Sequence, residues 1–155
     1  MITVVTDSTC YLSPEIIEQY NILVVSPTVR FGQESFLETA GAGYREFYRR
    51  LATTSTLPTT SQPSAGEFIT SYNQILFGNP AAEILLLTVS SKLSGTYNTA
   101  FTAALQLPDA DIVVFDSRSA AMGVGLMAMT ATKMVAAGQE LAKVLARLDQ
   151  MRREI

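Results

Sequence analysis

The chain has no histidine, and that single absence removes several kinds of chemistry. Without an imidazole there is no Ser-His or Cys-His nucleophile pair. An HExxH zinc site and a histidine proton shuttle are equally out of reach. Cysteine is almost missing: Cys10 stands alone, so no intrachain disulfide can form, which suits a reducing, cytoplasmic setting. One thiol and scattered acids make no metal-ligand cluster, and no metal or cofactor is expected. Charge is scarce as well, at 16% of residues with a net −3, which argues against a basic nucleic-acid platform. No basic n-region followed by an apolar h-region opens the chain, so no signal peptide is expected. Long apolar runs are also lacking. The uncharged stretch Ser119 to Thr132 is shorter than the roughly 18 residues of a spanning helix. Ser119, Thr130 and Thr132 dilute it and Lys133 closes it, so it reads as a helix buried inside a globular domain rather than a membrane span.

What is present is a strong hydrophobic pattern. Hydrophobic residues make up 48% of 155, enough for one domain with a sizeable core. Ile2 to Thr6 is a short β-branched run closed by Asp7-Ser8-Thr9. Ser13-Pro14-Glu15 is a helix start, with Ser as N-cap, Pro at the first helical position and an acid in the first turn. Ile22 to Val25 is a second strand, and Thr28 to Phe31 extends it or forms another. Gly32 to Gly43 carries turn residues without a period and reads as a loop. Tyr44 to Leu51 is helical, and Ser64-Ala65-Gly66-Glu67 has the spacing of a capping box. Glu83 to Val89 is apolar without alternation, as expected of a strand covered on both faces in a parallel sheet. Asp111 to Phe115 is a further strand. An Ala/Met-rich helix and, after Gly138, an amphipathic one complete the chain. Strand, polar turn and helix in repetition predict an α/β fold, a parallel-sheet three-layer α/β/α sandwich.

Small hydroxyl residues collect at Asp7-Ser8-Thr9, Thr59 to Ser64, Ser90 to Thr96 and Asp116-Ser117. Three of these clusters follow strands. In an open parallel sheet, ligands bind beyond the carboxyl ends of the strands, where helix N-termini offer free N–H groups to an anion. The same residues are the usual turn and cap formers, so a specific anion site and ordinary caps fit the pattern equally. Neither GxGxxG nor a P-loop is present. Gly123-Val124-Gly125 is expected to allow close helix approach rather than to cradle phosphate. Met122, Met127, Met129 and Met134 are expected in the core, with an adaptable apolar cavity as the alternative.

Four strings carry a resemblance. Val5-Thr6-Asp7-Ser8-Thr9, Leu57-Pro58-Thr59-Thr60-Ser61-Gln62-Pro63-Ser64, Ser90-Ser91-Lys92-Leu93-Ser94-Gly95-Thr96-Tyr97 and Phe115-Asp116-Ser117, the last continuing to Gly123, resemble the DegV family of bacterial lipid-binding proteins, in order along the chain. The resemblance implies a binder that encloses one long-chain fatty acid and presents its carboxylate to a partner fatty acid kinase, performing no chemistry itself. By motif position, Thr60 and Ser94 would hold the carboxylate, with Ser61 and Gly95 beside them; no catalytic residue is implied. The family pattern runs to about twice this length, with a second domain adding basic contacts, so residues 1–155 are expected to be a single lobe that is cut at Ile155, an ordinary frayed terminus being the alternative. Glu38 to Gly43 departs from the acidic Asp-Gly-type segment expected there. A competing reading makes the chain a small-molecule phosphotransferase or hydrolase acting through the same loops, with Lys92 and Asp7.

Overall fold

The unbroken apolar run of β6 (Glu83–Thr88) is explained by the two layers that it separates. Side chains alternate across a strand. Ile84 and Leu86 therefore face one helical layer while Leu85 and Leu87 face the other, and all four are fully buried. The computed structural model describes residues 1–38 and 42–155. In it β6 lies between β1 (Ile2–Asp7) and β7 (Asp111–Asp116), and β2 (Leu23–Val25) flanks β1. This gives a four-stranded sheet in the order β2-β1-β6-β7. Every pairing is parallel, with Val5 opposite both Leu23 and Leu86, and Leu86 opposite Val114.

Helices α3 (Ala65–Gly78) and α4 (Thr96–Ala104) cover one face through Phe68, Tyr72, Ile75, Ala100 and Ala103. Helices α5 (Met122–Ala136) and α6 (Leu141–Glu154) cover the other through Met127, Ala131, Val144 and Leu148. The short α1 (Pro14–Gln19) brings Ile16 and Ile17 against Val124 and Ala128 of α5. The expected three-layer sandwich is thus the observed one. Local sequence sets the helix starts. Ser13 Oγ accepts from the Ile16 N–H at 3.4 Å, and Ser64 and Glu67 cap each other reciprocally. Among the described residues no helix is long and apolar enough to cross a membrane.

Met127 is fully buried, in line with a core role for the Ala/Met helix, whereas Met122 and Leu126 remain about half exposed, at 46% and 47%. Gly125 is where α5 meets the 3-10 turn Ser8–Cys10: a Cβ there would overlap the Cys10 carbonyl oxygen and crowd Leu12. Close approach, not a phosphate cradle, explains this glycine. Alanine has the higher helix propensity by about 1 kcal/mol, but the clash is with backbone that cannot rotate aside. Gly125→Ala is therefore expected to lower stability by about 1–3 kcal/mol, as overpacking typically does; an unchanged or raised thermal midpoint would show that the turn yields freely.

One expectation is corrected. Gly32 to Gly43 is not simply a loop: β3 (Thr28–Phe31) and β4 (Glu34–Leu37) form an antiparallel hairpin across it. Its two-residue turn has Gly32 at φ +60°, the sign that mirror-image hairpin turns require. The hydroxyl-rich segment after α2 (Ala42–Thr53) likewise contains a strand, β5 (Thr59–Ser61), which pairs with β3 to give a second sheet, β4-β3-β5. Three- and four-residue strands leave too few positions for a period of two to declare itself. Most of the expected departure over Glu38 to Gly43 concerns residues 39–41, which lie outside the described residues.

Candidate functional site

The carboxyl ends of the parallel strands are held by carboxylates that are already fully engaged. Asp7, 1% exposed at the end of β1, accepts from the Thr9 N–H at 3.0 Å, from the Thr9 hydroxyl and from the Val89 N–H at 2.8 Å. Burial pushes its pKa up, with the bonds from Thr9 and Val89 pulling only part of the way back. Asp7 thus ties β1 to the segment after β6, with both oxygens occupied, and is poorly placed as the free base of the competing hydrolase reading. Asp116, at the end of β7, accepts from the Ser91 N–H at 3.0 Å, the Ser91 hydroxyl at 2.6 Å and the Arg118 N–H at 3.0 Å. Partial burial raises its pKa, but the hydrogen bonds from Ser91 and Arg118 outweigh that and hold it below the usual value. Lys92 is exposed and forms no ion pair among the described residues.

These anchors fix the Ser90-to-Thr96 loop. Ser94 is half-buried; its Oγ accepts from the Thr96 N–H at 3.2 Å and shares a hydrogen with Thr96 Oγ1 at 2.8 Å. Gly95 is the N-cap of α4 and offers no side-chain cap. The second hydroxyl segment arrives from β5. Thr60 pairs with Val29 and Ser61 with Thr28, and both side chains are exposed. Gln62 joins the two segments: its Nε2 donates to Thr99 Oγ1 at 2.7 Å, and its amide fills the space that a Cβ on Gly95 would need. The structure therefore brings the Thr60-Ser61 strand and the Ser94-Gly95 turn to one edge of the molecule. The Ser90 N–H also donates to the Ser119 carbonyl at 2.8 Å, which sets this turn beside the start of α5. Exposed Leu93, Met122 and Leu126 supply apolar surface on these same two segments.

A feature that pattern reasoning missed lies next to Thr60. The small sheet, α2 and the turn at Tyr11 border a partly open cavity of about 470 Å³ whose walls include Tyr11, Phe36, Tyr44, Phe47, Tyr48 and Thr60. Tyr11 and Tyr44 stack at 4.9 Å and 15°, and the Tyr44 hydroxyl donates to the Ser8 carbonyl at 3.2 Å. Tyr11 is held in the left-handed region at φ 53°, uncommon for a bulky residue. The only signal in the sequence was aromatic density in α2, which reads equally well as an apolar helix face. Ser94, Ser61 and Gly95 are not among the cavity's lining residues.

The fold is a parallel α/β sandwich with two hydroxyl segments gathered at one edge. The chain belongs to the DegV family: the family model, described as uncharacterised protein of the DegV family, matches residues 1–155. A DegV domain-containing protein of Staphylococcus aureus (strain N315) is 37% identical over 152 residues, covering 97% of this chain and 52% of the relative. The solved structure of a DegV family protein from Thermus thermophilus, described by its fatty acid binding, superimposes with a TM-score of 0.88 at 34% identity, over 98% of this chain and 53% of that one. DegV of Bacillus subtilis, described as a fatty acid binding protein, gives 0.90 at 30% identity, over 98% and 54%. The chain thus spans about half the length of the relatives it matches.

Proposed function

We propose that this chain is the carboxylate-holding lobe of a fatty-acid-binding protein. The observation that carries the reading is the meeting of the Thr60-Ser61 strand with the Ser94-Gly95 turn, joined through Gln62, beside exposed apolar side chains. Neutral hydroxyl donors and the N-terminal end of α4 suit a carboxylate without a salt bridge. Thr60 and Ser94 donate to the two carboxylate oxygens, with Ser61 and Gly95 at the edge of the site. Ser94 turns its hydroxyl from Thr96 to the ligand, a rotation about one bond. The acyl chain leaves along Leu93, Met122 and Leu126, whose exposure in this lobe marks surface that a ligand or further protein covers. The fatty acid binding stated for the Thermus thermophilus and Bacillus subtilis relatives supports this choice of ligand.

In this reading the lobe does no chemistry. The bound fatty acid is presented, in the cytoplasm, to a fatty acid kinase subunit that phosphorylates its carboxylate, and further contacts to the headgroup come from protein beyond this lobe. Native mass spectrometry of the purified chain, before and after incubation with oleate, tests the central claim. A mass increment of one long-chain fatty acid, released by organic extraction, is expected. A chain that carries none and takes up none overturns the proposal.

A further inference from the structure

We propose that the aromatic cavity that adjoins the carboxylate site at Thr60 is a binding site for an organic cation of the quaternary-ammonium or alkylamine class, a reading that does not rest on fatty-acid binding. The walls of the cavity are aromatic and acidic. Tyr11, Tyr44, Tyr48 and Phe47 present aromatic surface, Glu38 and Glu46 present carboxylates, and among the described residues no lysine or arginine lines the space. Aromatic faces attract cations through the ring quadrupole, most strongly where water is excluded. A volume of about 470 Å³ lies in the range of small-molecule sites, about 300–1,000 Å³.

The protein already uses one end of this aromatic set for a cation of its own. The Arg50 guanidinium sits 5.3 Å from the centroid of the Phe36 ring and pairs with Glu34 and Glu46 at 2.8 Å each. Glu46 is thereby neutralised, its second partner being Arg49 at 2.7 Å. Glu38 is not. Among the described residues its half-buried carboxylate accepts only from the Ser8 hydroxyl, at 2.5 Å, and has no cationic partner. A half-buried carboxylate beside aromatic walls is left under-compensated unless a positive charge or further donors join it. The phenols register the same negative field: the Tyr44 hydroxyl is pushed up to about 12, first by burial and then by Glu38.

The charge on the walls disfavours the obvious competitors. A fatty-acid carboxylate in this cavity would meet Glu38, which has no cationic partner among the described residues, while the nearby Arg50 is already paired with Glu34 and Glu46. A plain acyl chain would cover Glu38 without compensating it. An ammonium group satisfies the carboxylate and the rings together, and the stacked pair Tyr11–Tyr44, braced by the bond to Ser8, holds one wall ready for it.

Choline and its neutral isostere 3,3-dimethylbutan-1-ol test the assignment, because they match in shape and differ in charge. Titration of the chain, followed by ligand-observed NMR, is expected to show saturable choline binding at least about tenfold tighter than the alcohol. Glu38→Gln is expected to remove most of that preference while the alcohol binds as before. Tyr48→Leu, at a wall residue that is 54% exposed and so not needed for folding, is expected to weaken choline by a similar factor; it carries the test if Glu38→Gln does not fold. Equal affinity for the two ligands, no choline binding, or a preference unchanged in the variants overturns the proposal.

Discussion

Thr60→Val combined with Ser94→Ala is expected to lower fatty-acid affinity by about two to four orders of magnitude, since each hydrogen bond to a charged group contributes about 1.5–3 kcal/mol and about 1.4 kcal/mol is tenfold. The two positions carry different structural costs, and this makes the pair informative. Thr60 is exposed on β5 and pairs with Val29 through backbone alone, so valine keeps its shape and β-branching and removes only the hydroxyl. Ser94 also receives the Thr96 N–H at the start of α4, so alanine there costs about 0.5–1.5 kcal/mol of stability as one lost hydrogen bond. Thermal midpoints of the single variants separate that loss from the loss of ligand contacts. A fluorescent fatty-acid displacement titration checks the prediction. Affinity within a few-fold of the parent in the double variant, with wild-type binding intact, would remove both residues from the carboxylate site while leaving fatty-acid binding itself standing.

Tyr72→Ala is expected to lower unfolding stability by about 3–5 kcal/mol, the usual cost of removing a large buried aromatic, a large share of the ~5–15 kcal/mol typical of a domain. Tyr72 is fully buried on α3, lies beside Phe68 with ring centroids 6.3 Å apart, and donates its hydroxyl to the Ala100 carbonyl of α4 at 3.1 Å. It therefore joins the two helices of one layer, and α4 is the helix that begins at the Ser94-Gly95 turn. Tyr72→Phe keeps the ring and loses the bond, which should cost about 1–3 kcal/mol. Denaturant unfolding with unchanged m-values checks both variants. A Tyr72→Ala midpoint close to the parent would show that this layer is held by something other than the Tyr72 contact.

The parallel sheet was legible because its evidence is local. Ile84-Leu85-Leu86-Leu87 has no polar face to offer, so both sides must be covered, and the flanking Ser13-Pro14 and Ser64-to-Glu67 signals mark helices that can do so. The small sheet was not legible. β4 is mostly exposed and β5 entirely so, and their pairing depends on β3 lying between segments more than twenty residues apart. Thr60 is a case in point: its motif was plain, but its place in a strand at the wall of a cavity was not. Asp7 shows the opposite limit. As a residue type it suited a catalytic base, and only its three engaged hydrogen bonds and near-complete burial show it as a tie between β1 and the end of β6.

By itself the sequence determined the layer architecture, the helix starts, the absence of imidazole chemistry and the four family strings. These depend on composition, period and short spacings, which the chain carries whether or not it is folded. The tertiary structure alone decided that Gln62 joins the Thr60-Ser61 strand to the Ser94-Gly95 turn, and that Gly125 makes room for the Cys10 carbonyl. It alone decided that Tyr11, Tyr44, Tyr48 and Glu38 share one cavity. Each of these is a meeting of segments that no local preference specifies, brought about by the burial of other side chains on the two faces of one sheet.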